Sequence, residues 1–158
     1  MVKKILIILL LTISTLNINI SKDNYHDKIL IKEYIGNLII NKIDLNEKLY
    51  PINNRKNNIE EHVTILNKID NTLVLAAHSG TGPIAYFERL DELKLDDEII
   101  LIYKDKKYKY KVIEIYEEKK NGYIHINKSN KRQLILTTCS PKRINYQLIV
   151  NCIEKESI

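Results

Sequence analysis

The chain has 158 residues, of which 44% are apolar and 28% are charged, and its formal net charge is +5. This length accommodates one domain with a single core, and the composition excludes a disordered tail and a polytopic membrane protein. Lysines interspersed with Glu and Asp carry the positive charge. Because no basic-aromatic motif of a nucleic-acid-binding module accompanies them, we expect no nucleic-acid partner.

The N-terminus carries the pattern of an export segment. Two lysines precede an apolar run from Ile5 to about Ile20, which as a helix would be about 24 Å long, against a hydrocarbon core of about 30 Å. We interpret residues 1–20 as an uncleaved single-span membrane anchor with its N-terminus inside the cell. A cleaved signal peptide and a buried helix are the alternatives. Residues 21–33 are then a stalk, and residues 34–158 form the folded, extracellular domain.

Beyond the stalk, short apolar runs separated by polar residues predict β-strands. Clean alternation over Tyr108–Val112 predicts one wet and one buried face, whereas the continuous runs Leu73–Ala77 and Leu134–Leu136 predict strands covered on both sides. Asn57–Glu61 and Ile84–Leu93 are predicted as short helices. The fold class is therefore mainly β, a closed barrel of about eight strands. The candidate strands are Gly36–Ile40, Lys48–Ile52, His62–Leu66, Leu73–His78, Glu98–Tyr103, Tyr108–Tyr116, Tyr123–Ile126, Leu134–Cys139 and Gln147–Ile153.

Two segments place reactive side chains at the ends of strands. His78 and Cys139 each follow an apolar run and immediately precede a break in the pattern, where a rigid scaffold presents side chains to a cleft. A thiol becomes a good nucleophile once its proton leaves, and an imidazole can accept that proton and later return it. From residue types alone, a buried structural cysteine and a structural histidine remain the simpler interpretation. No metal-ligand or cofactor motif is present, so neither group is predicted.

Five short motifs occur in an order that resembles one enzyme family, the sortases, from about Tyr34 to Ile153. They are Gly36–Ile43 for G-x-L-x-I-x-K-I, Pro51-Ile52 for a Pro-Ile pair, Ala77–Gly80 for G-H-S/R-G, Phe87–Ile99 for F-x-x-L-x-x-L-x-x-G-D-x-I, and Ile135–Pro141 for T-L-x-T-C-x-P. Each match is weak alone, but their order and number are specific.

The resemblance implies a β-barrel enzyme on the outer face of the Gram-positive membrane that cleaves an LPxTG-like sorting signal in secreted proteins. Cys139 would attack the signal's scissile carbonyl to form a thioester, and His78 would serve as its proton-transfer partner. The partners implied are the sorting-signal peptide and an amine of a cell-wall precursor or a pilin. No lid motif or second hydrophobic span typical of pilin-polymerising sortases is found, which favours anchoring of proteins to the cell wall.

The match fails at the third residue expected of a sortase, an arginine on the strand after the cysteine that binds substrate or stabilises the oxyanion. Gln147 occupies that position, while Arg143 lies earlier, in the hairpin loop. We keep both as candidates, with Thr138 and Ser79 beside the pair as residues that orient it or line the groove. A degenerate domain that binds sorting signals without efficient catalysis, or a basic module that binds wall polymer, are the alternative functions.

The remaining cysteine and histidines are predicted to be structural. Cys152 lies on the last strand, opposite Leu134 if the two strands pair in simple register, and is expected to be a packed core thiol. His26, His62 and His125 lie outside the motifs.

Overall fold

The computed structural model describes residues 33–127 and 129–155. The predicted anchor over residues 1–20, and all of the predicted stalk over 21–33 except its last residue, lie outside the described residues. Within the described part of the chain, no helix is long and apolar enough to cross a membrane.

Eight strands and two single-turn 3-10 helices make up the regular structure of the described residues. The 3-10 helices are Asn41–Ile43 and Leu90–Glu92. The strands are β1 (Gly36–Ile40), β2 (Leu45–Leu49), β3 (Thr64–Ile69), β4 (Thr72–Ala76), β5 (Glu98–Tyr103), β6 (Lys106–Lys119), β7 (Gln133–Cys139) and β8 (Tyr146–Glu154). The predicted mainly β class, with about eight strands and one or two short helices, is confirmed.

All eight strands form one sheet in the order β2-β1-β5-β6-β8-β7-β4-β3. Side chains from every strand meet in a single buried core, from Leu38 on β1 to Val150 on β8. One face of the sheet therefore encloses the core, and the sheet is curled as a half-barrel. Among the described strands, β2 and β3 are the two edges, so the predicted barrel is curled rather than closed by a final ladder.

The pairing of β4 with β7 is parallel, whereas the other neighbouring strands are antiparallel. The outer faces of β4, β7 and β8 are also covered, because Val74, Ile135 and Ile149 form a second buried cluster there. The prediction that the continuous apolar runs are covered on both sides is confirmed.

Gly36 at the start of β1 is required by close backbone packing. A Cβ atom at this position would collide with the backbone carbonyl oxygen of Ile102 on β5. Gly36 pairs with Tyr103 of β5 and Leu49 of β2, so β1 is clamped between two strands at this point. Only a glycine fits this approach of two backbones.

Two of the predicted strands are wrong. Tyr123–Ile126 pairs with no other described strand, and two of its backbone carbonyls accept hydrogen bonds from side chains instead. The Tyr116 hydroxyl donates to the His125 carbonyl at 2.6 Å, and the Gln147 amide donates to the Tyr123 carbonyl at 2.8 Å. Its apolar residues pack on the outer cluster as a cover. The strand predicted at Lys48–Ile52 lies earlier, as β2, and ends before a proline that has no N–H to donate.

The two predicted helices are also wrong in extent. Residues 57–61 form turns because the Asn57 side chain bonds both the N–H and the carbonyl of Ile65, at 2.8 and 3.0 Å. Such side-chain bonds offer the backbone an alternative to a helix. The stretch Ile84–Leu93 contains only the single 3-10 turn Leu90–Glu92, although its apolar residues Phe87 and Leu90 are fully buried as their spacing suggests.

Candidate active site

The parallel pairing of β4 and β7 brings the two predicted reactive residues together. The ladder pairs Ala76 with Thr137, and the backbone N–H of Ala77 still reaches the Thr137 carbonyl at 3.4 Å. The ladder ends at this pair, and continuing its register by two positions brings the backbone of His78 level with Cys139, the last residue of β7. Parallel neighbours lie about 4.8 Å apart and end at the same edge of a sheet, so the two residues are adjacent at one end of the half-barrel.

Two hydroxyls fasten these strand ends to each other. Thr138 Oγ1 donates to the Ala77 carbonyl at 2.8 Å, and Ser79 Oγ donates to the Cys139 carbonyl at 2.9 Å. Thr138 is buried, whereas Ser79 lies at the surface. The two residues predicted to orient the pair or line the groove therefore bond backbone carbonyls across the gap between β4 and β7. Their contacts fix the spacing of the two chain segments.

Both reactive side chains reach solvent. Leu136 and Ala77 face the core, and alternation along the strands directs Cys139 and His78 to the opposite, outer face. The cysteine is exposed, and the imidazole keeps 33% of its side-chain surface accessible. A thiol and an imidazole thus come to the same end and the same accessible face of the sheet, the placement that a nucleophile and its base require.

A carboxylate that the sequence did not single out contacts the imidazole. His78 Nε2 lies 3.3 Å from Glu60 Oε1, which comes from the turn before β3. A carboxylate at this distance can hold the ring in one orientation through a hydrogen bond. Glu60 belongs to a polar stretch without a motif, so no sequence pattern indicates this contact.

A lysine that the sequence analysis also missed contacts the sulfur. Lys120 Nζ lies 3.2 Å from Cys139 Sγ, within hydrogen-bonding distance for a thiol or thiolate. Lys120 follows the last residue of β6, and its backbone N–H donates to the Asn145 carbonyl at 2.8 Å. The β7–β8 turn thereby holds the lysine backbone beside the end of β7.

Gln147 is the direct neighbour of the cysteine on β8. The ladders pair it with Cys139 on one side and with Glu118 of β6 on the other. Its Nε2 donates to Glu118 Oε1 at 3.1 Å and to the Tyr123 carbonyl at 2.8 Å. An amide nitrogen has two hydrogens, and both are engaged by these acceptors.

Arg143 lies on the other side of the β7–β8 hairpin. Its guanidinium stacks 3.4 Å from the ring centroid of Tyr146, and Nη1 is 4.0 Å from Glu117 Oε2. Tyr146 and Glu117 alternate with Gln147 and Glu118 along their strands, so their side chains belong to the opposite face. Of the two candidates for the arginine position, the structure places Gln147 beside the cysteine and Arg143 away from it.

The second cysteine is enclosed in the core. Cys152 is fully buried and pairs with Leu134, as predicted. Burial raises the pKa of its thiol, because the thiolate would lose its hydration. Of the histidines predicted to be structural, His62 stacks on Tyr50 and His125 Nδ1 lies 2.8 Å from Glu118 Oε2, whereas His26 lies outside the described residues.

The curled sheet and its adjacent thiol and imidazole define a β-domain with an exposed Cys-His pair. A family model for the sortase domain matches residues 38–154. Since this match spans most of the chain, the chain belongs to the sortase family. No curated protein sequence matches the chain.

Solved sortases share this fold. Sortase A from Corynebacterium diphtheriae has a TM-score of 0.67 and 22% identity, covering 79% of this chain and 62% of that one. Sortase C from Streptococcus pneumoniae gives 0.68 and 24%, covering 80% and 71%. Sortase C-1 from Actinomyces oris gives 0.66 and 20%, covering 86% and 82%. The chain thus spans less than two thirds of the Corynebacterium protein, and sortase A and sortase C structures match it to the same degree.

Proposed function

We propose that the protein is a cysteine transpeptidase that cleaves an LPxTG-like sorting signal and transfers the cleaved protein to an amine. Membership of the sortase family supports this class of reaction. The observation that supports the proposal is the parallel pairing of β4 and β7, because the exposed Cys139 and the solvent-accessible His78 lie at the same end of these two strands. The second cysteine is buried and cannot meet a peptide.

The reaction starts from the thiolate of Cys139 and the protonated ring of His78. The sulfur adds to the carbonyl carbon of the signal's threonine, and the carbonyl electron pair moves onto oxygen. Collapse of this oxyanion breaks the C–N bond, and the departing amine takes the proton from His78, which leaves a thioester. An incoming amine then attacks the thioester and gives its proton back to the ring, so that an amide forms and the thiolate is released.

Glu60 supports the imidazole in this scheme. Its carboxylate contacts Nε2 and so orients the ring that passes the proton to the departing amine. The pair is open to solvent, since 68% of the Glu60 side-chain surface is accessible. Water and salt screen such a pair, so its contribution to the rate is small.

Membrane anchoring is part of the proposal. The apolar run after the N-terminal lysines supports a single span with the N-terminus inside and the domain outside. The domain would then meet secreted proteins and an amine of a cell-wall precursor or a pilin. A membrane-impermeant thiol reagent applied to intact cells should label Cys139. A thiol that reacts only after lysis would contradict this orientation.

One observation favours a second function, binding of sorting signals with little turnover. The position of the family arginine is held by Gln147, whose amide hydrogens are both engaged by protein acceptors. An oxyanion there has no free side-chain donor from this residue, and loss of one such donor typically costs about 10²–10³ in rate. A domain that lacks this oxyanion donor would bind the signal peptide without forming the thioester efficiently.

A sorting-signal peptide with a thiol-reactive group at the scissile position tests the proposal. We expect one adduct, located at Cys139 by mass spectrometry, and a much slower reaction in His78→Ala. Cys152→Ala should label like the unmodified protein, which makes it the matched control. Binding of the peptide without an adduct would favour the second function. A salt-sensitive association with wall polymer that ignores Cys139→Ala, with no peptide adduct, would favour a basic wall-binding module instead.

A further inference from the structure

The reactive sulfur has a cationic neighbour that the motif comparison did not assign. Lys120 Nζ lies 3.2 Å from Cys139 Sγ. The lysine follows Lys119, the last residue of β6, which pairs with Tyr146 of β8. Alternation along β6 directs Lys119 to the opposite face and Lys120 to the face shared by Gln147 and the cysteine. The contact therefore follows from the register of the sheet as well as from the side-chain position.

The two residues considered for the family's arginine position do not bring a positive charge to this sulfur. Arg143 stacks on Tyr146 and approaches Glu117 on the opposite face, and Gln147 is neutral. Within the described residues, Lys120 is thus the cationic side chain found in contact with the thiol. A thiolate is stabilised by an adjacent ammonium and reacts far faster than a thiol.

The carboxylates near the site are engaged by other groups. Glu118 accepts from the Gln147 amide and lies 2.8 Å from the ring of His125. Glu60 lies against the ring of His78. The carboxylates of Glu118 and Glu60, whose negative charge would oppose the lysine's effect on the sulfur, therefore have partners of their own. The lysine ammonium contacts the sulfur directly.

We propose that Lys120 is a catalytic residue whose ammonium stabilises the Cys139 thiolate and thereby supplies the positive charge that the missing arginine leaves absent beside the sulfur. The inference rests on the proposed function for its meaning in catalysis, but the charge effect concerns the thiol itself. The lysine keeps its proton throughout. No bond to it forms or breaks, because its role is electrostatic.

The position of the lysine is built into the backbone. Its N–H donates to the Asn145 carbonyl in the β7–β8 turn, and Ser140 N–H donates to the Tyr146 carbonyl in the same turn, at 2.8 and 2.9 Å. The first bond joins the chain just after β6 to the turn, and the second closes the hairpin directly after the cysteine, between Ser140 and the first residue of β8. A flexible lysine side chain thus starts from a fixed point beside the sulfur.

The rate at which iodoacetamide alkylates Cys139, followed by mass spectrometry across pH, tests this role without a peptide substrate. A unit charge at this distance in a solvent-facing site changes an ionisation equilibrium by about five- to tenfold. We therefore expect Lys120→Met to slow alkylation near pH 7 by about five- to tenfold. Lys120→Arg should restore most of the rate, and Lys119→Met, on the opposite face, should leave it unchanged.

An unchanged alkylation profile in Lys120→Met would overturn the inference, as would an equal effect of Lys119→Met. Each variant's thermal melting curve shows whether it is folded, and the exposed Lys120 side chain predicts melting close to that of the unmodified protein. The outcome is separable from the proposed function. If alkylation depends on Lys120 but no sorting peptide is turned over, the charge effect stands and transpeptidation is wrong; the reverse result removes only the lysine's role.

Discussion

Thr138→Val probes how the two strand ends are held together. The Thr138 hydroxyl is buried and donates to the Ala77 carbonyl at 2.8 Å, one residue before His78. Valine keeps the shape but leaves this buried carbonyl without that donor, which costs about 1–2 kcal/mol. For a domain of this size the melting temperature should fall by about 3–6 °C. Because the bond also fixes the gap between β4 and β7, turnover of a sorting peptide should fall by about tenfold.

Differential scanning calorimetry and a peptide-cleavage assay below the melting transition measure the two effects separately. Thr138→Ser keeps the hydroxyl and should recover most of the activity, although it loses a buried methyl group. Thr137→Val changes an equally buried threonine on the opposite face of the same strand and serves as the control. Wild-type turnover in a fully folded Thr138→Val would refute the view that this bond sets the spacing of the reactive pair.

Three other changes test separate parts of the account. Burial raises the pKa of the Cys152 thiol, so above about pH 8.5 the unfolded chain loses a proton that the folded chain keeps. The free energy of unfolding should therefore fall by about 1.4 kcal/mol per pH unit above that pH. Urea unfolding at pH 8 and 10 measures this fall, and the Cys152→Val variant should lack this contribution to it. Glu60→Gln should lower kcat/KM for a sorting peptide by at most about fivefold, because its exposed pairing with His78 is screened; a loss of a hundredfold would show that the carboxylate is essential. Gly36→Ala should destabilise the fold by about 1–3 kcal/mol in chemical unfolding, since the added methyl group meets a backbone carbonyl, and unchanged stability would show that β1 and β5 can move apart.

Much of the site could be predicted because the end of a strand is marked in the sequence by the abrupt end of an apolar run. The apolar runs before His78 and Cys139 stop abruptly; the structure shows Cys139 as the last residue of β7 and His78 two residues beyond β4, both with solvent-accessible side chains. The neutral residue at the arginine position was also visible, and Gln147 does pair with the cysteine. Local pattern was sufficient here because each of these features depends on one strand and its immediate turn.

The missed contacts depend on pairing between distant segments. Lys120 contacts the sulfur because β6 pairs with β8 and β8 pairs with β7. No single segment of the sequence specifies the register of these two pairings. Glu60 reaches the imidazole from a turn shaped by the side-chain bonds of Asn57 to β3. Likewise, the apolar spacing of Tyr123–Ile126 resembles that of a strand, but its backbone carbonyls bond side chains and it covers the outer face of the sheet.

Mass spectrometry of the joined product is the most direct measurement of acyl transfer by the exposed thiol. The full-length protein is mixed with an LPxTG-type peptide and an excess of an amine such as triglycine. We predict a product in which the threonine carbonyl is linked to the added amine, formed by the unmodified protein and by Cys152→Ala but not by Cys139→Ala or His78→Ala. A linked product at the normal rate from Cys139→Ala would contradict the account, as would failure of every natural sorting motif to yield it.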